Sequence, residues 1–377
     1  MSLYSRLIVR LKLVPNSHIR YNSTVARKTI RKTNLQKDLP PPEERIVLPP
    51  VSQWRALFPP TLKTTKKRVS IANPSTADKV ANAFVPDGVK GKVIIETFPG
   101  PGQLTRALLR LPKERIERLI VLEEDPWFLN YLESLEEVDP RLKVIPASGM
   151  NWESYDIAGS QGLLDGVSEI GWDAGVHPQL QHITHLPVNV HGEQLIAQYI
   201  RFIPDQHWLF KYGRVPMSFL LNDHVWQRLV SRDLQLRCKL TAVADAMVDC
   251  QQQLYDELQP YRDHFFPIRS PTATNRAGLP FLAVSVIPKE NPLIEAGDME
   301  IWDYCLRRLF VQRATPIAKA ISALGPGSQV LIEKTRGVID PCTHPRELSM
   351  LQWAELVKAF KDWPFAPTVR AYISVGI

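Results

Sequence analysis

The 377-residue sequence predicts an α/β fold built around a doubly wound, parallel sheet. Three observations lead there. Lys92-Val93-Ile94-Ile95-Glu96-Thr97 is a β-rich apolar run of buried-strand type. It breaks at Phe98-Pro99-Gly100-Pro101-Gly102, and Leu104, Leu108, Leu109 and Leu111 then recur at helical spacing. A second such run, Leu119-Ile120-Val121-Leu122, ends in Glu123-Glu124-Asp125.

The elements follow in chain order. Residues 1–37 carry nine Arg or Lys and no acid, with Leu3, Leu7, Ile8, Leu11 and Leu13 between them. That is the composition of a mitochondrial transit peptide, with Arg20-Tyr21-Asn22-Ser23 as a candidate cleavage site; a basic tail touching nucleic acid is the competing reading. Without this stretch, 37 basic side chains face 39 acidic ones, so the net +7 belongs to the amino terminus. A nucleic-acid surface on the remainder must therefore be a local patch. Residues 38–60 hold seven prolines and are expected to be an extended linker.

Pro74 to Phe84 reads as a helix with a Ser cap, Phe128, Leu129, Leu132 and Leu135 mark another, and Lys143-Val144-Ile145-Pro146 a third strand. Segment 157–187, with five glycines and three histidines, reads as an insertion loop. Leu209 and Phe210 read as part of a buried strand. Cys238, Cys250, Cys305 and Cys342 are too scattered for a disulfide framework or a structural zinc site, and His177, His182 and His185 lack a metal-ligand spacing, so no metal is expected. No run approaches eighteen apolar residues, so no membrane helix is expected.

A glycine turn after the first strand brings backbone N–H groups and a helix start to the carboxyl ends of the strands. Glu123, 23 residues beyond Gly100, is placed to accept both ribose hydroxyls of a nucleoside cofactor. NAD and S-adenosylmethionine sites share this logic. The competing reading is a plain Gly-Pro connection with acids at a solvated helix start.

The segments Ile95-Glu96-Thr97-Phe98-Pro99-Gly100-Pro101-Gly102-Gln103-Leu104-Thr105, Leu122-Glu123-Glu124-Asp125 and Leu220 to Val230 resemble the corresponding motifs of KsgA-type rRNA adenine N6-dimethyltransferases. Cys305 to Phe310, Leu324-Gly325-Pro326-Gly327 and Arg346-Glu347-Leu348 resemble that family's small helical carboxy-terminal domain. The likeness runs from about Arg68 to Pro367. It includes the mitochondrial transcription factor B branch, and Trp208 to Met217 is similar to its fungal members, which act as promoter-specificity factors.

The resemblance implies a Rossmann-like class I methyltransferase domain over 61–288 and a helical domain over 289–377. It implies S-adenosylmethionine held by Glu96, Gly100, Gly102, Glu123 and Ser148. It also implies an Asn-(Leu/Ile)-Pro-(Tyr/Phe) clamp after the fourth strand, for which Asn189-Val190-His191-Gly192 is the match. There the proline is His191 and the stacking ring is Gly192, a loss of roughly 1–3 kcal/mol of base stacking. Phe98 replaces the first loop glycine, and Ser148 the acid after the third strand.

A degenerate methyltransferase is therefore expected, with cofactor binding weak or lost: a mitochondrial matrix factor working with the mitochondrial RNA polymerase on promoter DNA. Nucleic-acid candidates are Lys63, Lys66, Lys67 and Arg68, then Lys211, Tyr212 and Arg214 beside Trp208, and Arg307 and Arg308 with Arg313 and Lys319. Each group competes with a bland reading, a solvated helix face or a buried element. The alternatives are an active dimethyltransferase acting on mitochondrial small-subunit rRNA, with Asn189 holding the amine, and a non-catalytic ribosome-assembly factor.

Overall fold

The computed structural model describes residues 41–62, 64–269 and 278–369. The transit-peptide expectation and Lys63 lie outside them.

Among the described residues nine strands form: β1 (Ser70–Ile71), β2 (Lys92–Thr97), β3 (Ile116–Leu122), β4 (Leu142–Ile145), β5 (Leu180–His185), β6 (Met217–Asn222), β7 (Val248–Leu254), β8 (Phe265–Phe266) and β9 (Phe281–Pro288). The main sheet runs β4-β3-β2-β5-β6-β9-β7. Its first five strands are mutually parallel, and β9 lies antiparallel to both β6 and β7. Strands β1 and β8 pair separately. Chain order reverses between β2 and β5, and in sheets of this kind ligands bind at such a switch point, beyond the strands' carboxyl ends. All six residues of β2 are buried, as helices on both faces require.

Helices Gln103–Arg110, Pro126–Glu136 and Val190–Arg201 follow β2, β3 and β5 as the crossovers of the parallel strands. After β9 the chain is helical, with Met299–Val311 and Met350–Lys361 as its longest elements. One apolar core runs without a break from Val93 through Phe219 and Trp302 to Trp363.

Four expectations are corrected. Residues 42–60 are not an extended linker. They form 3₁₀ turns and a short helix, Trp54–Leu57, and Trp54 and Phe58 are each 1% exposed. Phe58 packs on Phe128 and Tyr131, and Trp54 edges onto Phe266. Burial of two large rings outweighs the extended preference of the prolines. Segment 157–187 is not an insertion loop either, because it contains β5, a central strand. Its polar side chains disguise it, yet they find partners inside: Gln181 donates to Phe84 O and Ser218 Oγ, each at 3.0 Å. Leu209 and Phe210 are buried, but in a 3₁₀ helix, Trp208–Tyr212. The helix Pro74–Phe84 is capped by Asn73, whose carboxamide accepts from Ser75 and Thr76, and not by a serine.

Candidate functional site

Four strand ends converge at this switch point. β2 contributes the turn 98–102, β3 Glu123, β4 Ser148 and β5 His185. Phe98 adopts φ 58°, the left-handed region natural to glycine, at a cost of roughly 1–2 kcal/mol. Its ring is 4% exposed and lies against Gly149, where an added Cβ would sit 3.2 Å from it. Gly100 and Gly102 also have positive φ, and a Cβ at Gly100 would meet Ser70 Oγ at 2.2 Å. Strand β1 thus lies directly on the turn.

Glu123 is 1% exposed. Its Oε1 accepts the backbone N–H groups of Glu124 and Asp125, both at 3.0 Å. Arg68 donates to Oε1 at 3.2 Å and to Oε2 at 2.6 Å, a buried bidentate pair. The guanidinium carbon lies 5.1 Å from the Phe98 ring centre and 5.4 Å from that of Phe128. Arg68 therefore does not face solvent phosphate, contrary to the sequence reading. Just before it, Lys67 O accepts Val188 N–H at 2.9 Å, so this segment bridges the ends of β3 and β5.

Glu96 is buried and is not presented as an ionised acid. Burial pushes its carboxyl up to about 8, and Thr105 Oγ1 donates to it at 2.7 Å. Ser148 Oγ donates to Glu124 Oε1 at 2.9 Å. Arg106, on the helix after the turn, donates to the carbonyls of Pro101, Gly102, Tyr131, Arg45 and Ile46, tying residues 45–46 to the turn.

The register after the fourth strand is also corrected. β5 ends at His185, and the residues standing there are His185-Leu186-Pro187-Val188. Leu186 and Pro187 fit the Asn-Leu-Pro-aromatic pattern four residues upstream of the sequence reading, which makes His185 the counterpart of Asn and Val188 of the ring. Asn189 instead caps helix Val190–Arg201, its carboxamide accepting from Gly192 N–H at 3.1 Å. Gly192 has no room for a ring, since a Cβ there would lie 2.0 Å from Pro187 O. His185 is buried beside Phe265 and Phe281, and desolvation, with Arg68 adding to it, drives its imidazole down to about 3. Its Nε2 has no hydrogen-bond partner among the described residues. The Leu186-Pro187 pair was the signal in the sequence, hidden because the strand before it looked like loop.

The remaining nucleic-acid candidates are dispersed. Lys66 is exposed and Lys67 half-buried. Lys211 is exposed, with its ammonium 5.3 Å from the Tyr212 ring centre. Arg214 is 9% exposed and donates to Pro288 O, so it too is withdrawn from solvent. Trp208 stacks inward on Tyr199 at 4.5 Å. Arg307 and Arg308 are exposed on helix Met299–Val311. Among the described residues no His, Cys, Asp and Glu group is arranged to hold a metal ion, and no helix is long and apolar enough to cross a membrane.

A sheet of this order, with its antiparallel excursion at one edge and a glycine turn after the central strand, defines a class I methyltransferase fold. The ribosomal RNA adenine dimethylase family model matches residues 63–362, and the chain belongs to that family. Among its relatives are "Dimethyladenosine transferase 1, mitochondrial" of Vermamoeba vermiformis, 23% identical, covering 85% of this chain and 96% of that protein. Another is "Mitochondrial transcription factor 1" of Lachancea kluyveri, 23% identical, covering 73% of this chain and 82% of that protein. The resemblance to the KsgA-type family and its mitochondrial branch is thereby borne out. Among solved structures, the 23S rRNA methyltransferase ErmE aligns with 77% of this chain and 98% of its own, at 13% identity and a TM-score of 0.45.

Proposed function

We propose that this protein is a mitochondrial transcription initiation factor, acting in the matrix with the mitochondrial RNA polymerase to recognise and hold open promoter DNA, with little or no methyl transfer. One observation carries the reading. The carboxylate that would take a cofactor's ribose hydroxyls, Glu123, is already bonded bidentately by Arg68 under the Phe98 ring. So arranged, the site does not fit S-adenosylmethionine, and no methyl-transfer step is derived through it. His185 and Val188 at the end of β5 support the same reading, because neither supplies the carboxamide or the stacking ring of the family's clamp. Relatives named mitochondrial transcription factor 1 support the assignment to transcription and to mitochondria.

Holding melted promoter requires phosphate contacts and stacking surfaces. Lys66, Lys67, Lys211, Tyr212, Arg307 and Arg308 are the side chains we assign to that work. The α/β domain, 61–288, and the helical domain, 289–377, would both contribute. Adding purified protein to the polymerase on a mitochondrial promoter is expected to restrict initiation to the promoter start. Unchanged start-site selection overturns the proposal.

A second reading, an active dimethyltransferase of mitochondrial small-subunit rRNA, is favoured by the retained acids Glu96 and Glu123 and by Gly100 and Gly102 in their left-handed conformations. Micromolar binding of S-adenosylmethionine by the wild-type protein would select it.

A further inference from the structure

We propose that Arg68 is the residue that excludes adenine nucleosides from this fold: its guanidinium is a built-in occupant of the ribose subsite. The inference rests on the reading that the pocket is closed, and it names what closes it. A guanidinium offers two parallel N–H donors, which match the two carboxylate oxygens much as the two O–H donors of a ribose diol do. The Arg68 group is also planar and lies against the Phe98 and Phe128 rings, so it fills a slot walled by two aromatic side chains.

The other departures from the family pattern do not act on Glu123. Phe98 belongs to the apolar core, and Ser148 is bonded to Glu124. The acid itself remains oriented for a diol. Its Oε1 keeps two backbone donors from Glu124 and Asp125 that do not depend on Arg68. Among the described residues, the hydrogen bond to Oε2 comes from Arg68. Truncating Arg68 therefore frees one carboxylate oxygen and the slot between the rings, while the backbone keeps the carboxylate in place.

The test is calorimetric titration of the full-length protein with adenosine, 2′-deoxyadenosine and S-adenosylhomocysteine. Wild type is expected to bind none of them up to millimolar concentration. Arg68→Ala is expected to bind adenosine and S-adenosylhomocysteine at least 100-fold more tightly than wild type, with 2′-deoxyadenosine at least 10-fold weaker than adenosine. Adding Glu123→Gln should abolish the gain. A thermal melt establishes that each variant is folded, and Arg68→Gln, which keeps one hydrogen bond to Glu123, takes the place of the alanine variant if that fails to fold. A folded variant that binds no nucleoside overturns this inference and leaves the transcription reading standing. Tight binding of S-adenosylhomocysteine by wild type overturns both. Unchanged start-site selection beside a nucleoside-binding variant overturns the transcription reading alone. A purely structural Arg68 would lower the melting temperature and leave the titrations flat.

Discussion

Replacing Glu96 with glutamine should stabilise the protein, and increasingly so as the pH rises. The carboxyl sits on the penultimate residue of β2, 1% exposed, between the neighbouring strand residues Val121 and Ile183. Burial, reinforced by the Glu123 charge and opposed by Thr105 and Arg106, lifts it from its ordinary 4.5 to about 8. Between those pH values the folded chain holds a proton that the unfolded chain has released. Stability therefore falls as pH climbs from 4.5 towards 8 and levels off above it. At about 1.4 kcal/mol per pH unit, the loss by neutrality is on the order of 3 kcal/mol. Glutamine does not titrate, and its carbonyl oxygen can still accept the Thr105 hydroxyl. Urea unfolding of wild type and Glu96→Gln at pH 5, 7 and 8.5 should show the variant's advantage growing from near nil to several kcal/mol. An advantage that stays constant or shrinks over that range would refute the reasoning.

Three further outcomes are expected. Desolvation drives His182 and His185 down to about 3, so each contributes stability that is present above its ordinary 6.5 and lost as the pH falls through 6.5 towards 3; His185→Asn should flatten that acid limb in thermal melts. Gly192→Ala places a Cβ 2.0 Å from Pro187 O and should cost roughly 1–3 kcal/mol in urea unfolding, without creating any stacking surface. Arg106→Ala removes donors to the carbonyls of Arg45 and Ile46, so hydrogen exchange over residues 42–58 should quicken by at least tenfold while the amides of β2 keep their protection.

The parallel sheet, the glycine turn and the acid at the end of the second strand were legible in the sequence. Each is a local matter: β-rich runs of apolar residues, a turn that needs left-handed backbone, and an acid one residue past a strand. Strand β5 was not legible, because Gln181, His182 and Thr184 look solvated until the neighbouring strands supply their partners, and His185 until aromatic rings bury it. That error moved the register of the residues after the strand by four positions and gave a site role to Asn189, which caps helix Val190–Arg201 instead.

Composition read residues 38–60 as linker, since prolines disfavour regular structure wherever they stand. Only the folded chain brings Phe128, Tyr131 and Phe266 to Trp54 and Phe58 and so anchors that segment by two buried rings. In the same way, a cluster of Lys and Arg beside a flexible stretch suggested phosphate contacts. Pairing across 55 residues instead assigned Arg68 to Glu123. A charge's partner is a long-range fact, set by which strand ends the topology brings together. Sequence determined that this chain has the methyltransferase fold and an acid poised for a ribose; tertiary structure decided what that acid holds.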